Sequence, residues 1–299
     1  MQGRPFRKPE EIVRPASFEY HRAASLEHAL DLLHEFGEDG RPIAGGQSLV
    51  PMMNFRLARP EHLVDIGRLP LTSIERTGNV LRIGALARHI AYFDNPLIAR
   101  HFPAFLEAVH YIGHPTIRRN GTLGGSISHA DPTAELPAVS VLYDGEIVAR
   151  SKADERRIKA RDFFLGAYVT ALEPGEMMVA LELPLPAAAS AGSFVELAER
   201  RGDFATASVG VALDHDNGRI TRFAMVCSGA DLFPVRAGEI EQLMIGRPLA
   251  DPGAAEAGKR FAASIDPIED HIASADFRRA AIAELTRRAI EAACTKALK

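Results

Sequence analysis

Two glycine-rich segments constrain this chain more than any other feature of its sequence. AGGQS occupies residues 44–48 and TLGGS occupies residues 122–126. Adjacent glycines let the main chain come close to a ligand and turn several N–H groups toward one anion. Because neither segment contains Lys or Arg, a shared diphosphate is favoured over a transferable terminal phosphate. The pattern predicts a dinucleotide site, although glycine pairs alone are equally typical of surface turns.

Known nucleotide motifs narrow the choice of fold. Neither segment fits the pattern GxGxxG of Rossmann domains or the pattern GxxxxGK[ST] of nucleoside triphosphatases. The usual nicotinamide and nucleoside triphosphate folds are therefore not supported, and a different fold for FAD has to be considered.

Composition excludes several classes of function. The 299 residues are 46% hydrophobic and 25% charged, which is typical of a globular protein with two or three compact units. The net charge is only -4, with both signs interspersed, so we expect no nucleic-acid partner. No apolar run approaches the roughly 20 residues that a membrane span needs. The charged, proline-rich start resembles no signal peptide, so we expect a cytoplasmic location.

Cysteine is scarce. Cys227 and Cys294 are far apart, and neither fits a metal or redox spacing. An iron–sulfur cluster usually needs four thiolate ligands, so any such cluster in the working enzyme has to lie on another chain. We expect no metal site in this chain.

Local patterns predict mixed helices and strands in the first part of the chain. Ser25 to Gly37 has the apolar stripe of an amphipathic helix, and Asn95 to Tyr111 is a second helical region. Gly78-Asn79 predicts a hairpin turn. The stretch from Gly113 to Pro132 lacks periodicity and predicts a long loop, whereas Ala160 to Leu172 looks helical.

A proline- and alanine-rich run around Pro186 is the best linker in the sequence. Strand patterns that include a hairpin at Asn217-Gly218 follow it, and the pattern is helical from Val235 onward. We therefore predict an N-terminal α/β unit at 1–186, with subdomains at roughly 14–67 and 68–186, and a C-terminal unit at 187–299.

Longer motifs around the glycine segments carry a resemblance to a known family. IAGGQSLVPMMNFRLARP at 43–60 and RRNGTLGGSISHADPTAELPAV at 118–139 resemble the two FAD loops of the medium subunits of molybdenum hydroxylases, such as xanthine dehydrogenase and aerobic carbon monoxide dehydrogenase. The resemblance continues in ERRGDFATASVGVAL at 199–213 and SGADLFPVRA at 228–237. Because these motifs keep the family's order, the resemblance covers nearly the whole chain.

The resemblance implies an α+β fold. It consists of a vanillyl-alcohol-oxidase (PCMH) type FAD-binding domain of two α/β subdomains, followed by a three-stranded antiparallel sheet with a helical bundle. It also implies an FAD-binding electron-transfer subunit that takes electrons from the iron–sulfur clusters of a partner and passes them to an external acceptor. The molybdenum cofactor and the 2Fe-2S clusters would belong to a large and a small partner subunit, in a dimer of heterotrimers, and no catalytic residue is expected here.

The resemblance also assigns residues to the cofactor by motif position. Residues 44–48 and 122–126 would surround the diphosphate, Glu135 would reach the ribose or adenine, and Phe204 would pack beside the flavin ring. The full set of expected cofactor contacts is Ile43, Ala44, Gly45, Gly46, Gln47, Ser48, Leu49, Ile112, Thr122, Leu123, Gly124, Gly125, Ser126, Glu135, Met178, Phe204 and Thr206.

Other interpretations remain open on the sequence. His129, Asp131 and Glu135 form HxDxxxE, which fits a metal-dependent hydrolase, although Asp131 better suits the cap of a helix over 133–143. His110 and His114 are spaced like metal ligands, but Gly113 interrupts the helix. A self-sufficient flavin oxidoreductase of the same fold is a further alternative.

Arginines outside the glycine segments have plainer interpretations. Arg118 and Arg119 are predicted to lie on a solvated surface or a partner contact, outside the site. Arg278, Arg279, Arg287 and Arg288 are predicted to form the outward face of a C-terminal helix.

Overall fold

A computed structural model describes residues 14–186 and 190–299, and this part of the chain contains four β-sheets and the helices around them. The strands are β1 (Glu19–Arg22), β2 (Gly40–Ile43), β3 (His62–Asp65), β4 (Ile74–Thr77), β5 (Val80–Gly84), β6 (Glu146–Arg150), β7 (Glu155–Lys159), β8 (Phe164–Gly166), β9 (Val169–Thr170), β10 (Met177–Pro184), β11 (Ser190–Leu197), β12 (Ala207–Asp216), β13 (Arg219–Ser228) and β14 (Val235–Arg236). The helices are α1 (Leu26–Phe36), α2 (Leu49–Asn54), α3 (Pro96–His101), α4 (Pro103–Tyr111), α5 (Pro115–Asn120), α6 (Leu123–His129), α7 (Glu135–Leu142), α8 (Ala160–Phe163), α9 (Gly238–Met244), α10 (Ala254–Ser264) and α11 (Ala275–Ala297).

The first sheet is small and parallel, in the order β1-β3-β2. Helix α1 packs on it, and the predicted amphipathic helix is confirmed. The Ser25 hydroxyl accepts a hydrogen bond from the N–H of His28, and Gly37 ends the helix with a φ of 54°. Since β2 runs directly into Ala44, this sheet delivers the first glycine segment to one edge.

The second sheet is antiparallel, in the order β4-β5-β10-β6-β7. The predicted turn at Gly78-Asn79 joins β4 to β5. Phe105 from α4 and Leu123 from α6 are fully buried in one hydrophobic cluster with Leu81 and Ile147 of the sheet. Helix α6, which contains most of the second glycine segment, is thus anchored on this sheet together with α4.

The third sheet has the order β11-β12-β13-β14. Its first three strands are 8 to 10 residues long and antiparallel, which confirms the predicted C-terminal sheet, and the two-residue β14 extends it. Asn217 and Gly218, with φ of 48° and 74°, form the predicted hairpin turn between β12 and β13. Helices α10 and α11 complete this part and share its core.

Two predictions of local structure are wrong. The stretch from Gly113 to Pro132 is not a long loop, because it contains α5 and α6. Pro115 occupies the first turn of α5, and the Thr122 hydroxyl caps α6 by accepting from the N–H of Gly125. Helices of six and seven residues are too short to show an apolar period, so they leave no trace in the pattern.

The segment from Ala160 to Leu172 is helical only in α8. It continues as β8 and β9, which form a small two-stranded sheet with Tyr168 in the turn at a φ of 61°. A left-handed residue at that position ends any helix. Apolar spacing alone did not distinguish this tight hairpin from a helix.

Packing joins the N-terminal and C-terminal parts. Phe194 and Val226 belong to the same hydrophobic cluster as Phe105 and Leu142. The Glu107 carboxylate accepts a hydrogen bond from the N–H of Phe194 at 2.9 Å. Within the described residues, no helix combines the length and the apolar character that a bilayer crossing requires.

Candidate functional site

The two glycine segments lie against one another. A Cβ atom at Gly45 would overlap the carbonyl oxygen of Asn120 and would come within 3.2 Å of the Cα of Gly121. Real Cβ atoms do not approach main-chain atoms so closely, so only glycine permits this contact. The strand β2 and the helix α5 therefore bring the two segments to one place, although they are far apart in the sequence.

The first glycine segment presents free main-chain donors. Within residues 14–186 and 190–299, no atom accepts a hydrogen bond from the N–H of Gly45, Gly46, Gln47 or Ser48. Gly46 has a φ of 68°, which turns the chain before α2. The side chain of Gln47 donates to the carbonyl oxygen of Gly45 at 2.8 Å and so holds the turn closed. Successive unpaired N–H groups of this kind form a site for an anion.

The second glycine segment is built differently. The N–H of Gly124 donates to the carbonyl oxygen of Ala85 at 2.7 Å, and the N–H groups of Gly125 and Ser126 are used within the first turn of α6. The expectation that this glycine pair also turns several free N–H groups toward a ligand is therefore wrong. Gly124 is needed for packing, because its Cβ would lie 2.7 Å from that of Ala85. What this segment exposes is the bare main chain of Gly125.

Two residues beside this contact were missed by the sequence analysis. The guanidinium group of Arg88 donates to the carbonyl oxygen of Asn120. His89 is 3% exposed, and in the described part of the chain its Nδ1 atom has no hydrogen-bond partner. Burial, aided by the charges of Arg88 and Arg118, lowers the pKa of His89 to about 4, so its ring is neutral near pH 7. No motif marks these residues, because only the fold brings them to Asn120 and Gly121.

Ile112 ends α4 at the next corner of the site. The guanidinium group of Arg118 donates to the carbonyl oxygens of Ile112 and Gly113, both at 2.7 Å. Arg118 is half-buried and Arg119 is exposed, so both lie at the surface, but the guanidinium group of Arg118 is held by these carbonyl oxygens. A partner contact at these residues stays a prediction. A Cβ at Gly202 would lie 3.2 Å from the carbonyl oxygen of Gly113. The turn that Arg118 holds is thus the place where the C-terminal part touches this corner.

The segment after Gly202 carries two of the expected contacts. Phe204 is 65% exposed and able to pack against a ligand, whereas Thr206 is 7% exposed. The N–H of Thr206 donates to the carbonyl oxygen of Leu197 at 2.7 Å. Its own carbonyl oxygen accepts from the guanidinium group of Arg278.

Arg278 corrects another prediction. It is 1% exposed and does not lie on a solvated helix face. Besides Thr206, its guanidinium group donates to the carbonyl oxygen of Gly229 and to the carboxylate of Asp270, both at 2.7 Å. A helical period places Arg278 outward, but these acceptors lie above that side of α11 and cover it.

Two carboxyl groups from different parts of the chain have raised pKa values, and the charge of one acts on the other. Burial and the charge of Asp131 raise the pKa of Glu135, at the start of α7, to about 7. Burial and the charge of Glu135 raise the pKa of Glu196, in β11, to about 9. The buried Oε2 atom of Glu196 has no partner within the described residues. Near pH 7 Glu196 is therefore protonated and able to donate a hydrogen bond to a ligand.

The hydrolase interpretation finds no support in this geometry. The Asp131 carboxylate accepts hydrogen bonds from the N–H of Thr133 at 2.9 Å and from the Thr133 hydroxyl at 2.6 Å. It also accepts from the hydroxyl of Tyr168 at 3.1 Å. The predicted cap is wrong, because no side chain caps α7. Within the described residues, His129, Asp131 and Glu135 do not bring their donor atoms together as metal ligands would. His110 instead contacts the carbonyl oxygen of Leu106 at 2.9 Å.

The remaining expected contacts lie around the two segments. Ile43 and Leu49 are half-buried and flank the first segment. Leu123 and Met178 are buried in the same hydrophobic cluster, at 0% and 3% exposure. Because both side chains are buried in the core, only main-chain atoms of these two residues are left to contact a ligand.

Comparison with known families gives a consistent assignment. The family described as "FAD binding domain in molybdopterin dehydrogenase" matches residues 16–186. The family described as "CO dehydrogenase flavoprotein C-terminal domain" matches residues 192–293. Together the two matches cover almost all of the chain that the structure describes.

Individual relatives match over their full lengths. The 6-hydroxypseudooxynicotine dehydrogenase complex subunit alpha of Paenarthrobacter nicotinovorans is 38% identical over 96% of this chain and 96% of its own length. The carbon monoxide dehydrogenase medium chain of Afipia carboxidovorans is 34% identical over 95% of this chain and 99% of its own length. A chain of quinoline 2-oxidoreductase from Pseudomonas putida 86 superposes with a TM-score of 0.91 at 31% identity, covering 96% of this chain and 100% of that one.

Proposed function

We propose, from the premise that this chain belongs to the family of FAD-binding medium subunits of the molybdenum hydroxylases, that it holds FAD non-covalently and transfers electrons within a heteromeric oxidoreductase. The observation that carries the proposal is the contact between the glycine segments at Gly45 and Asn120. Beside that contact lie four N–H groups that have no partner within residues 14–186 and 190–299, and the main chain of Gly125 is exposed nearby. Main-chain donors of this kind bind a diphosphate where the glycine segments themselves contain no lysine or arginine.

The residues around this contact fit the rest of the cofactor. The N–H groups of residues 45–48 would hold the diphosphate, aided by the hydroxyl of Ser126. Glu135 would bind the ribose or adenine side, and the exposed ring of Phe204 would pack beside the flavin. We propose all the cofactor contacts expected from the motifs, and we add His89 and Glu196 to them.

This chain supplies binding and orientation, and the redox chemistry belongs to the flavin, which takes up electrons singly and releases them in pairs. The neutral ring of His89 and the protonated Oε2 of Glu196 add no full charge beside the bound cofactor near pH 7. Arg118 and Arg278 hold the two turns that carry Ile112 and Thr206. None of these groups is positioned as a nucleophile or as a general base.

The electrons have to arrive from another chain. Cys227 and Cys294 are buried at 0% and 2% exposure, and burial raises the pKa of both thiols, so neither is available as a cluster ligand. The partners are a large subunit with the molybdenum cofactor and a small subunit with 2Fe-2S clusters, in a dimer of heterotrimers. The substrate is selected by the large subunit.

The proposed division of the chain and its location rest on simpler grounds. We divide the chain into 1–186 and 187–299, because one family match ends at 186 and the next begins at 192. The proposed subdomain 14–67 contains the complete sheet β1-β3-β2, and the proposed subdomain 68–186 contains the complete sheets β4-β5-β10-β6-β7 and β8-β9. A cytoplasmic location agrees with two buried, unpaired cysteines, and cell fractionation would test it.

Visible spectroscopy tests the proposed function. The purified chain should show the absorption of oxidised flavin, with one FAD released per chain on denaturation. Isolation from the native source should recover it with a molybdenum subunit and an iron–sulfur subunit. Substrate should bleach the flavin of that complex but not the flavin of the chain alone.

The rival hypothesis of a self-sufficient flavin oxidoreductase predicts the opposite result for the lone chain. A small substrate would then reduce its flavin at a catalytically useful rate without any partner. That result, or a purified chain and complex both lacking flavin, would overturn the proposed function.

A further inference from the structure

A second cluster of functional side chains lies on the small parallel sheet. Glu19 and His21 from β1 and His62 from β3 bring one donor atom each to a common point. The Nε2 atom of His21 lies 3.1 Å from the Nδ1 atom of His62. The Oε2 atom of Glu19 lies 3.7 Å from the first nitrogen and 3.6 Å from the second.

These separations are those of ligands around one metal ion. Zinc binds imidazole nitrogen at about 2.0–2.1 Å and carboxylate oxygen at about 2.0–2.2 Å, which places tetrahedral ligands about 3.3–3.5 Å apart. The three observed separations bracket that value. Two imidazoles and one carboxylate form a common zinc-binding set, and they leave a fourth position for water.

The sheet itself produces the arrangement. In the parallel register of β1 and β3, Glu19 pairs with His62, and His21 follows two residues later on the same face. The ring of Phe36, at the end of α1, stacks on His62 at 4.0 Å and 12° and lies 4.7 Å from the ring of His21. Both imidazoles are therefore oriented before any ion arrives, which lowers the entropic cost of binding.

Access and competition also favour an ion. The side chain of Glu19 is 73% exposed, so the cluster is open to solvent on that side. Within the described residues, the two imidazole nitrogens have no hydrogen-bond partner besides each other. The one hydrogen bond described among the three side chains is the one between the two imidazoles, whereas a metal ion would bind all three.

We propose that Glu19, His21 and His62 bind a divalent transition-metal ion of the zinc class, independently of the flavin. The ion clamps the edge strand β1 to the central strand β3 of the sheet that carries the first glycine segment. The prediction that this chain has no metal site rested only on the spacing of residues close together in the sequence. His62 is separated from the other two ligands by 41 and more positions, so no sequence spacing marks the site.

Metal analysis of the full-length, FAD-loaded chain tests the proposal. After treatment with a chelator and dialysis against Zn²⁺, the unmodified protein should retain one zinc ion per chain. His21→Ala and His62→Ala should retain none, and Glu19→Gln should bind at least about tenfold more weakly, because an amide oxygen replaces a carboxylate. Co²⁺ should give tetrahedral absorption bands to the red of the flavin, and these should disappear in the histidine variants.

Matched controls keep the result interpretable. His34→Ala removes an exposed histidine from the last turn of α1 and should leave zinc retention unchanged. Flavin content reports whether each variant is folded, and Glu19→Gln replaces a mostly exposed side chain with one of the same size. The proposal is overturned if the unmodified chain retains no zinc or if the double variant His21→Ala/His62→Ala retains as much as the unmodified chain.

Discussion

Several groups at the proposed cofactor site have no hydrogen-bond partner among the residues that the structure describes. At the first glycine segment they are the main-chain N–H groups of residues 45–48. At the deeper corners they are the Nδ1 atom of His89 and the Oε2 atom of Glu196, within the residues that the structure describes. Because buried polar atoms are almost always hydrogen-bonded, the His89 and Glu196 atoms are places where a bound ligand would supply the missing partner. The N–H groups of residues 45–48 are half-buried or exposed, so a ligand would replace water there.

Gly45 provides the most direct test of the site at the residue scale. Gly45→Ala would force its Cβ against the carbonyl oxygen of Asn120 and separate the two glycine segments. Overpacking of this kind costs about 1–3 kcal/mol, so FAD affinity should fall about tenfold or more. The ratio of flavin to protein absorbance after gel filtration measures the loss.

Gly238→Ala is the control for this substitution. Its Cβ would meet nothing within 4 Å, so the flavin content of that variant should equal that of the unmodified chain. Equal flavin content in Gly45→Ala as well would contradict the proposed arrangement of the diphosphate site.

Glu196 makes the stability of the cofactor-free protein depend on pH. Its pKa rises from 4.5 to about 9 on folding, so between these values the folded chain keeps a proton that the unfolded chain has lost. The contribution of Glu196 to the free energy of unfolding is therefore fully present below about pH 4.5 and is lost as the pH rises toward 9. Glu196→Gln removes the titration, so its free energy of unfolding should exceed that of the unmodified chain increasingly toward pH 9.

Urea unfolding at several pH values measures this difference, which can grow by at most about 1.4 kcal/mol per pH unit. Glu199→Gln, at an exposed position further along the chain, should show no such trend. A constant difference between Glu196→Gln and the unmodified chain across the range would show that Glu196 titrates normally.

At the scale of elements, α11 anchors the turns of the C-terminal sheet. This helix of 23 residues is amphipathic, but Arg278 near its start donates to the carbonyl oxygens of Thr206 and Gly229. Thr206 lies just before β12 and Gly229 just after β13, so both carbonyl groups lie at the same end of the sheet, close in sequence to Phe204. One buried guanidinium group thus connects the helix to the segment that reaches the proposed flavin position.

Replacement of Arg278 should therefore affect stability more than a surface arginine would. Arg278→Leu leaves two carbonyl oxygens without their donor, at about 1–3 kcal/mol each, so the free energy of unfolding should fall by about 2–6 kcal/mol. Denaturant unfolding monitored by circular dichroism measures the change. Arg288→Leu removes an arginine that is 61% exposed and should change the free energy by less than about 1 kcal/mol; similar losses in both variants would contradict this role of Arg278.

At the scale of the whole molecule, the proposed boundary near residue 186 does not divide the core. Phe194, Ala212 and Val226 pack in one cluster with residues of α4 and α7. Glu107 in α4 also accepts hydrogen bonds from the hydroxyl of Ser193 at 3.2 Å and from Lys296 in α11. The two parts share apolar surface that neither would bury alone.

Shared burial predicts cooperative unfolding. Cofactor-free protein should unfold in one calorimetric transition, because separation of the two parts would expose the common cluster to water. Calorimetry, compared with unfolding monitored by far-ultraviolet circular dichroism, measures whether there is one transition. Two resolved transitions would show that the units are energetically independent despite their contacts.

The sequence by itself determined the family, the fold class and the identity of the two glycine segments. Such features are local: a cap at Ser25, a turn at Asn217-Gly218 and a motif around Gly45 each depend on neighbours along the chain. The wrong predictions have the same origin, since α5 and α6 are too short to show periodicity.

Only the tertiary structure decided which groups face one another. The contact of Gly45 with Asn120, the pair of Glu135 and Glu196, and the convergence of His21 on His62 all join residues that are distant in sequence. Burial of Arg278 likewise depends on loops that cover one side of its helix. Packing between elements sets such distances, and no property of a residue's sequence neighbours encodes them.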